Sequence, residues 1–178
     1  MPYRQSLILI GMPGAGKSTL GILLAKELRL DFLDTDVAIQ VQEDKSLQDI
    51  LENQGYLALR EVEEQVLLAT ECHQKVIATG GSAVYSQKGM EYLKSCGPVV
   101  YLEVPLEELC RRIHNYETRG IARRPEQSFE DLFEERQLLY REYADVTVKC
   151  DDLGPGAVVS ADVEGVLLYT YEAGEEEE

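Results

Sequence analysis

The sequence predicts an α/β fold in which helices cover both faces of a parallel sheet. Short runs rich in β-branched residues alternate along the chain with longer segments whose apolar residues recur at helical spacing. In addition, 44% of the 178 residues are hydrophobic, which is enough for the core of one domain. We therefore expect a single domain over residues 1–171 and a solvated or disordered acidic tail over 172–178.

Five strands and seven helices are predicted in this alternating order. The strands are predicted at 6–11, 31–34, 75–79, 98–103 and 146–150. The helices are predicted at 17–29, 46–54, 56–72, 87–95, 105–115, 128–142 and 156–170. Ligands of parallel sheets bind beyond the carboxyl ends of the strands, so functional residues are expected in the segments that follow them.

The segment at 11–19 has the pattern of a phosphate-binding loop. It reads Gly-Met-Pro-Gly-Ala-Gly-Lys-Ser-Thr and lies between an apolar run and a helical pattern. In this motif backbone N–H groups surround a polyphosphate, the lysine reaches the outer phosphates and the hydroxyl group binds Mg²⁺. The positive end of the following helix adds to the attraction. We therefore expect binding of ATP or GTP through Gly14, Ala15, Gly16, Lys17, Ser18 and Thr19.

Two acidic residues, Asp34 and Asp36, follow the second predicted strand. Residues two apart at a strand end point to the same side, so both carboxylates are expected to face one cleft. One would help to hold hydrated Mg²⁺, and the other would accept a proton from a substrate hydroxyl group. Glu103, at the end of a later apolar run, is a second candidate for the magnesium role. We favour Asp34 for this role. The alternative interpretation is an exposed acidic loop in which an aspartate caps the next helix.

Three further features have two interpretations each. Arg60 and Glu63 share one face of a predicted helix, where they could bind a substrate carboxylate or form only a surface ion pair. Gly80 and Gly81, after the third strand, would let a ligand approach backbone N–H groups, although an ordinary turn also explains them. Arg136 lies in a charged helical segment and, taken alone, is expected on the solvated face.

Charge, hydropathy and cysteine spacing indicate which partners the protein does not bind and in which cellular compartment it works. A net charge of −16 opposes nucleic-acid binding. No run of 18 apolar residues predicts a membrane span, and the first strand begins too early for a signal peptide. The cysteines are widely spaced and include no C-x-x-C pair, so we expect reduced thiols in a cytoplasmic protein and no zinc site. They are Cys72, Cys96, Cys110 and Cys150.

Residues 116–127 have the composition of a mobile lid. The segment lies between two predicted helices and reads Tyr-Glu-Thr-Arg-Gly-Ile-Ala-Arg-Arg-Pro-Glu-Gln. An acidic protein that handles a polyanion must gather its few cations locally, and a lid rich in arginine would place them over the phosphates.

Taken together, the motifs resemble those of the shikimate kinases over about residues 6–170. The shared set is the loop at 11–19, Asp34-Thr35-Asp36, Arg60-x-x-Glu63, the segment 77–81, and Glu135-Arg136 followed by Leu139-Tyr140. The resemblance implies a three-layer α/β/α P-loop kinase of the nucleoside-monophosphate-kinase type. Such a fold has a five-stranded parallel sheet, a helical substrate-binding region and a mobile lid. It also implies a monomer that transfers the γ-phosphate of ATP to the 3-hydroxyl group of shikimate, with Mg²⁺.

The resemblance further implies a role for each matching residue. Asp36 would bind the substrate hydroxyl groups and take the proton, and Glu63 would position the arginines. Lys17 and a lid arginine would stabilise the charge of the migrating phosphoryl group. Ser18 and Asp34 would bind Mg²⁺, directly or through water. The substrate would be held by Arg60, Gly80, Gly81 and Arg136, and the adenine would lie near Arg112 and Pro155.

The chain departs from the family pattern at two places. Ser82 stands where a third glycine is usual, so its side chain would either crowd the substrate or add a hydroxyl contact. The usual Arg-Pro-Leu-Leu of the lid is absent. Spacing from the preceding helix favours Arg119 as the catalytic lid arginine, and Arg123 and Arg124 are the alternatives.

Two other functions compete with the first. A kinase of the same fold could act on another hydroxy acid or polyol, such as gluconate, because two arginines suit any small carboxylate. A nucleotide-binding regulatory protein could keep the fold without turnover. The presence of Lys17, Ser18, Asp34 and Asp36 argues against the regulatory protein.

Overall fold

The computed structural model describes residues 5–150 together with 165 and 166. Its strands are β1 (Leu7–Ile10), β2 (Asp31–Asp34), β3 (Lys75–Ala78), β4 (Val99–Glu103) and β5 (Val146–Lys149). Its main helices are α1 (Lys17–Leu28), α2 (Thr35–Glu43), α3 (Leu47–Gln54), α4 (Tyr56–Ala69), α5 (Gln87–Cys96), α6 (Leu106–Arg112) and α7 (Phe129–Tyr143). A 3₁₀ turn, η1 (Ala83–Tyr85), precedes α5.

The five strands form one parallel sheet in the order β2-β3-β1-β4-β5. The central strand β1 is Leu-Ile-Leu-Ile and is fully buried, as a strand covered by helices on both faces must be. The edge strand β5 alternates between partly buried and exposed residues. From β1 the chain passes to one side of the sheet and later crosses to β4 on the other. The carboxyl end of β1 therefore lies where the strand order reverses, the usual ligand site of such sheets.

The helix α2 begins directly after β2 and was not predicted from the sequence. An oxygen of Asp34 accepts hydrogen bonds from the backbone N–H groups of Asp36 and Val37, so Asp34 is the N-cap of the helix. The expectation that Asp34 and Asp36 alternate along a strand end is therefore wrong, because Asp36 belongs to the first turn of α2. The helix has a weak sequence signal, since Val37 and Val41 are β-branched and exposed.

The other described helices begin and end within a few residues of their predicted bounds. The largest differences are in α4, which ends at Ala69, and α6, which ends at Arg112; each ends three residues before its predicted end. The predicted helix at 156–170 lies, apart from residues 165 and 166, outside the described residues. Pro155 and the acidic tail at 172–178 lie outside them as well.

A second, smaller core lies away from the sheet, among α2, α3 and α4. Buried side chains of these helices pack together there, and Ala122 of the predicted lid packs with them. The neighbouring Ile121 belongs to the main core. The lid is thus anchored by two apolar residues, one in each core. The members of the small core are Ile39, Ile50, Leu59, Val66 and Ala122.

A disulfide joins Cys72, in the segment after α4, to Cys96 at the end of α5. The expectation of reduced thiols is wrong for this pair, while Cys110 and Cys150 remain thiols. The two bonded residues are 24 positions apart and meet because α4 packs against α5. Such a pairing leaves no spacing pattern in the sequence.

No described helix combines the length and apolar character needed to span a bilayer.

Removing the disulfide should lower stability without abolishing the fold. A bond that closes a loop of this length contributes about 3 kcal/mol, mainly by restricting the unfolded chain. The free energy of unfolding in urea should therefore fall by about 3 kcal/mol in Cys72→Ser/Cys96→Ser. Thiol titration of the unreduced, unfolded protein should count two thiols among the four cysteines. A count of four, with no effect of the double substitution, would contradict the bond.

Candidate active site

A polar cavity lies at the carboxyl ends of β1 and β3. Its walls come from the loop after β1, the first turn of α2, the inner face of α4, the loop after β3, the lid and α7. Functional residues from all six segments line it, as expected where the strand order reverses. They include Lys17, Asp36, Glu63, Gly81, Arg119 and Arg136.

The phosphate-binding loop keeps its lysine folded against its own backbone. Lys17 is 7% exposed, and its Nζ donates to the carbonyl oxygens of Gly11 at 2.6 Å and Met12 at 2.9 Å. Burial lowers the pKa of Lys17 to about 8, although the nearby Asp36 opposes the shift. The N-cap of α1, Gly16, has φ 94° and offers no side chain to the first turn. The N–H groups of that turn therefore have no competing side-chain cap.

The hydroxyl and carboxylate predicted to serve a metal lie side by side at this loop. The Oγ of Ser18 donates to Oδ2 of Asp34 at 2.6 Å, and oxygen ligands of this kind suit Mg²⁺. Glu103, the alternative acid, instead accepts a hydrogen bond from Arg141 at 2.7 Å and does not line the cavity. In the part of the chain that is described, no three His, Cys, Asp or Glu side chains converge to hold a metal.

The carboxylates of buried Glu63 and partly buried Asp36 approach each other at Gly80. A Cβ atom on this residue would lie 2.5 Å from both Oδ1 of Asp36 and Oε2 of Glu63. The N–H of Gly80 is already used, because it donates to Oγ1 of Thr35 at 3.0 Å. This N–H is therefore engaged within the protein, and the missing side chain of Gly80 makes room for the carboxylates. Burial, reinforced by Asp34, raises the pKa of Asp36.

Glu63 is held by the serine that replaces a glycine. The Oγ of Ser82 donates a hydrogen bond to Oε1 of Glu63, which is only 3% exposed. Burial and the proximity of Asp36 raise the pKa of Glu63 to about 7, while the bond from Ser82 and the charge of Arg136 oppose the shift. The hydroxyl group of Ser82 is thus used within the protein, which neither expectation for Ser82 had included.

Two arginines lie on the far side of these carboxylates with unsatisfied donors. Arg136 is 1% exposed, and its Nη2 donates to the carbonyl oxygen of Ala122 at 2.7 Å. The guanidinium of Arg60 lies 3.7 Å from the ring centroid of Tyr85 and 5.1 Å from that of Tyr56. Within the described residues, the buried Nε atoms of both arginines have no hydrogen-bond partner. The solvated face expected for Arg136 alone, and the surface ion pair expected for Arg60, are therefore wrong.

Gly81 allows Arg136 to lie against the phosphate-binding loop. A Cβ atom on Gly81 would be 2.7 Å from Nη1 of Arg136 and 2.8 Å from Cδ of Pro13. The second glycine therefore serves packing between the loop after β3, the loop after β1 and α7. The hydroxyl group of Tyr140 fixes the same turn by donating to the carbonyl oxygen of Gly81 at 2.6 Å.

The lid places one of its three arginines in the cavity. Arg119 lines the cavity, close enough to Lys17 and Asp36 to influence both electrostatically. The next residue, Gly120, has φ 74°, and its N–H donates to Oε1 of Gln48 on α3 at 2.9 Å. Arg123 instead pairs with Glu117 at 2.6 Å, and Arg124 pairs with Glu135 at 3.0 Å.

Arg112 lies behind the phosphate-binding loop. Its Nη1 donates to the carbonyl oxygens of Gly14 at 3.3 Å and Ala15 at 3.5 Å, and its Nε pairs with Glu108. The predicted partner near the adenine, Pro155, lies outside the described residues.

Sequence reasoning missed Tyr85, which contacts Arg60 and Arg136 from a turn between β3 and α5. A single tyrosine in a turn has no spacing that would have identified it.

Comparisons with known proteins agree on one family. The family model described as shikimate kinase matches residues 13–166. The shikimate kinase of Pseudomonas entomophila (strain L48) is 41% identical over 159 residues, which cover 87% of this chain and 92% of that protein. The structure of shikimate kinase from Acinetobacter baumannii in complex with shikimate superposes with a TM-score of 0.81 at 33% identity, over 94% of each chain. A gluconokinase from Sinorhizobium meliloti 1021 shares the fold alone, with a TM-score of 0.53 at 17% identity.

The buried carboxylate of Glu63 should make stability depend on pH. Its pKa is about 7 in the folded chain against 4.5 ordinarily, so its contribution is fully present below pH 4.5 and is lost as the pH rises through 7. Glu63→Gln stays neutral, so its free energy of unfolding should gain about 2 kcal/mol relative to the parent between about pH 5 and pH 8. Urea unfolding at both pH values measures this gain.

Glu61→Gln, an exposed position on the same helix, is the matched control and should show no such gain. Comparing each variant with the parent at both pH values cancels the contribution of other titrating groups. If the free energy of unfolding of Glu63→Gln differed from that of the parent by the same amount at both pH values, the assigned burial of Glu63 would be contradicted.

Proposed function

The chain belongs to the shikimate kinase family, and we propose that it transfers the γ-phosphoryl group of ATP to the 3-hydroxyl group of shikimate. The observation that carries the proposal is the pair of arginines, partly buried Arg60 and fully buried Arg136, whose buried Nε donors lack partners in the described residues. An unpaired buried donor is costly, so a ligand that accepts hydrogen bonds is needed there. A carboxylate meets this need because its two oxygens match the guanidinium fork.

Asp36 is the residue that we assign to the acceptor hydroxyl group. Its carboxylate lies beside Gly80 and within electrostatic range of Lys17. Burial raises its pKa, and a base with a pKa nearer to the working pH is better matched to accept a proton. Glu63, Gly80 and Gly81 complete the substrate site: Glu63 balances the charge of the arginines, and the glycines leave room for the charged side chains.

Lys17 and Arg119 are the residues that we assign to the transferred phosphoryl group. Both line the cavity, Lys17 from the phosphate-binding loop and Arg119 from the lid. Phosphoryl transfer requires little covalent chemistry from the protein, so catalysis rests on positioning the two substrates and on stabilising charge on the phosphoryl oxygens. Lys17 would exchange its bonds to loop carbonyls for phosphate oxygens, and Arg119 would approach from the lid.

Ser18 and Asp34 are proposed to hold Mg²⁺, directly or through water. Their oxygens lie together at the mouth of the phosphate-binding loop. Mg²⁺ usually keeps several waters and takes few protein ligands beside the phosphates, and it would neutralise phosphate charge there. The backbone at Gly14, Ala15, Gly16 and Thr19 would surround the phosphates, and Arg112 and Pro155 are proposed to lie near the adenine.

The remaining properties are proposed on the same basis. Residues 1–171 would form one domain whose lid, at about 116–127, moves over the bound substrates. We propose a monomer, by resemblance to the family, and a cytoplasmic location, which the use of ATP supports and which the Cys72–Cys96 bond, unusual in that compartment, opposes. The acidic tail is assigned no function. Gluconate is the second candidate substrate, because it also carries a carboxylate beside hydroxyl groups.

Substrate identity is tested by ADP release from Mg-ATP in the presence of shikimate, quinate or gluconate. We expect turnover with shikimate and little with the other two, because the cavity must fit both the carboxylate and the hydroxyl group to be phosphorylated. Turnover of gluconate without shikimate would replace the proposed substrate. If none of the three compounds causes release of ADP, the non-catalytic regulatory protein would be favoured.

The role of Arg119 is tested by Arg119→Ala. The variant should lower kcat by roughly 100-fold or more, because it removes a charge that acts on the transferred group. Its Kd for ATP, measured by calorimetry, should change by no more than about threefold, since Lys17 and the loop remain. Lys88→Ala removes an exposed cation on α5 and is the control. A large fall of kcat in Arg124→Ala alone would transfer the role to Arg124.

A further inference from the structure

Tyr85 lies beneath both arginines of the proposed carboxylate site. Its ring centroid is 3.7 Å from Cζ of Arg60 and 5.4 Å from Cζ of Arg136. Two guanidinium groups so near one ring repel each other, and partial burial further disfavours the charge of Arg60. The negative face of an aromatic ring offsets part of this cost and also fixes the plane of the stacked guanidinium. The orientation of Arg60 therefore depends on where the ring lies.

The position of the ring is set by Glu135. The hydroxyl group of Tyr85 donates to Oε1 of Glu135 at 2.7 Å. The other oxygen, Oε2, accepts from Nη2 of Arg124 at 3.0 Å and from Nε2 of Gln127 at 2.9 Å. Arg124 and Gln127 belong to the end of the lid, and Gln127 is only 6% exposed. The carboxylate of Glu135 thus joins the lid to Tyr85, the residue that lies against both arginines.

The end of the lid is bonded further along its length. The carbonyl oxygen of Gln127 accepts from Nη1 of Arg123 at 3.1 Å and from the hydroxyl group of Tyr116 at 3.1 Å. The guanidinium of Arg123 also lies 4.6 Å from the ring centroid of Tyr116. The contacts therefore form a continuous series from Arg60 through Tyr85 and Glu135 to the first residue of the lid.

We propose that Tyr85 and Glu135 are positioning residues that couple the lid to the arginine pair. Tyr85 holds the Arg60 fork in the plane that a carboxylate needs, and Glu135 fixes the ring and the lid relative to each other. This inference rests on the proposed function, because the arginine pair is the proposed carboxylate site. It also explains Arg124, whose guanidinium is engaged by Glu135 on the outer side of the lid and does not line the cavity.

Coupling of this kind is reciprocal. If a bound carboxylate orders Arg60 and Tyr85, the bond between Tyr85 and Glu135 becomes stronger, and so does the attachment of the lid. An ordered lid favours the same orientation of Arg60 in return. Nucleotide and acid substrate should therefore bind more tightly together than separately, and part of that gain should depend on the hydroxyl group of Tyr85.

Trypsin provides a first test that requires no substrate. The lid offers cleavage sites after Arg119 and Arg123, and the bond between Arg124 and Pro125 resists trypsin. In Tyr85→Phe and Glu135→Gln the lid should be cleaved roughly fivefold faster than in the parent, because one anchor is lost. Glu134→Gln, the exposed neighbour on α7, should be cleaved at the parental rate. Equal rates in all four proteins would overturn the anchoring role.

Binding provides the second test. The Kd for shikimate is measured by calorimetry with and without a non-hydrolysable ATP analogue. Tyr85→Phe keeps the ring, so its Kd without nucleotide should stay within about twofold of the parent, but the gain caused by nucleotide should be reduced. Tyr85→Leu removes the ring and should raise the Kd about tenfold in both conditions.

A double-substitution cycle separates positioning from general damage. The effects of Tyr85→Phe and Glu135→Gln on the nucleotide-induced gain should be non-additive, because both remove the same link. Additive effects, or a parental gain in both variants, would overturn the coupling. If the parent itself binds no shikimate, the proposed function fails. The trypsin result is independent of that outcome and still tests the link.

Discussion

The carboxylates of Asp36 and Glu63 lie next to each other in the cavity. The surrounding elements must therefore supply positive charges and hydrogen bonds that offset the repulsion between them. Asp36 and Glu63 meet at Gly80, where any side chain would displace them, while Lys17 and Arg136 lie close enough to offset their charge. Buried charges are tolerated only when they are paired or hydrogen-bonded. The capped start of α2, the two glycines after β3 and the hydroxyl group of Ser82 each satisfy a part of this requirement.

The charged groups of the cavity are carried by elements of two hydrophobic cores. The sheet supplies a rigid edge for the phosphate-binding loop, because β1 is buried on both faces. The small core of α2, α3 and α4 holds the acidic side chains opposite that edge, and Ala122 attaches the lid to it. The charged groups therefore come from separate packing units that meet at the cavity, so a movement of the helical part can change their spacing without disturbing the sheet.

The sequence predicted what depends on local pattern and missed what depends on contacts across the chain. The apolar run of β1 and the glycines of the phosphate-binding loop have strong local signals, and both lie where they were expected. The helix α2 was missed because Val37 and Val41 face solvent and blur its periodicity. The Cys72–Cys96 bond and the pairing of Tyr85 with Glu135, 50 positions apart, exist only because folding brings the partners together.

The inward-folded ammonium group of Lys17 bears on the entropy of nucleotide binding. Its two bonds to the carbonyl oxygens of Gly11 and Met12 hold the loop together through contacts within the protein itself. The conformational cost of ordering the loop is thereby met during folding rather than at the moment of association. Binding then requires an exchange of partners by one side chain, and a preorganised receptor of this kind loses little affinity to the ordering of its own backbone.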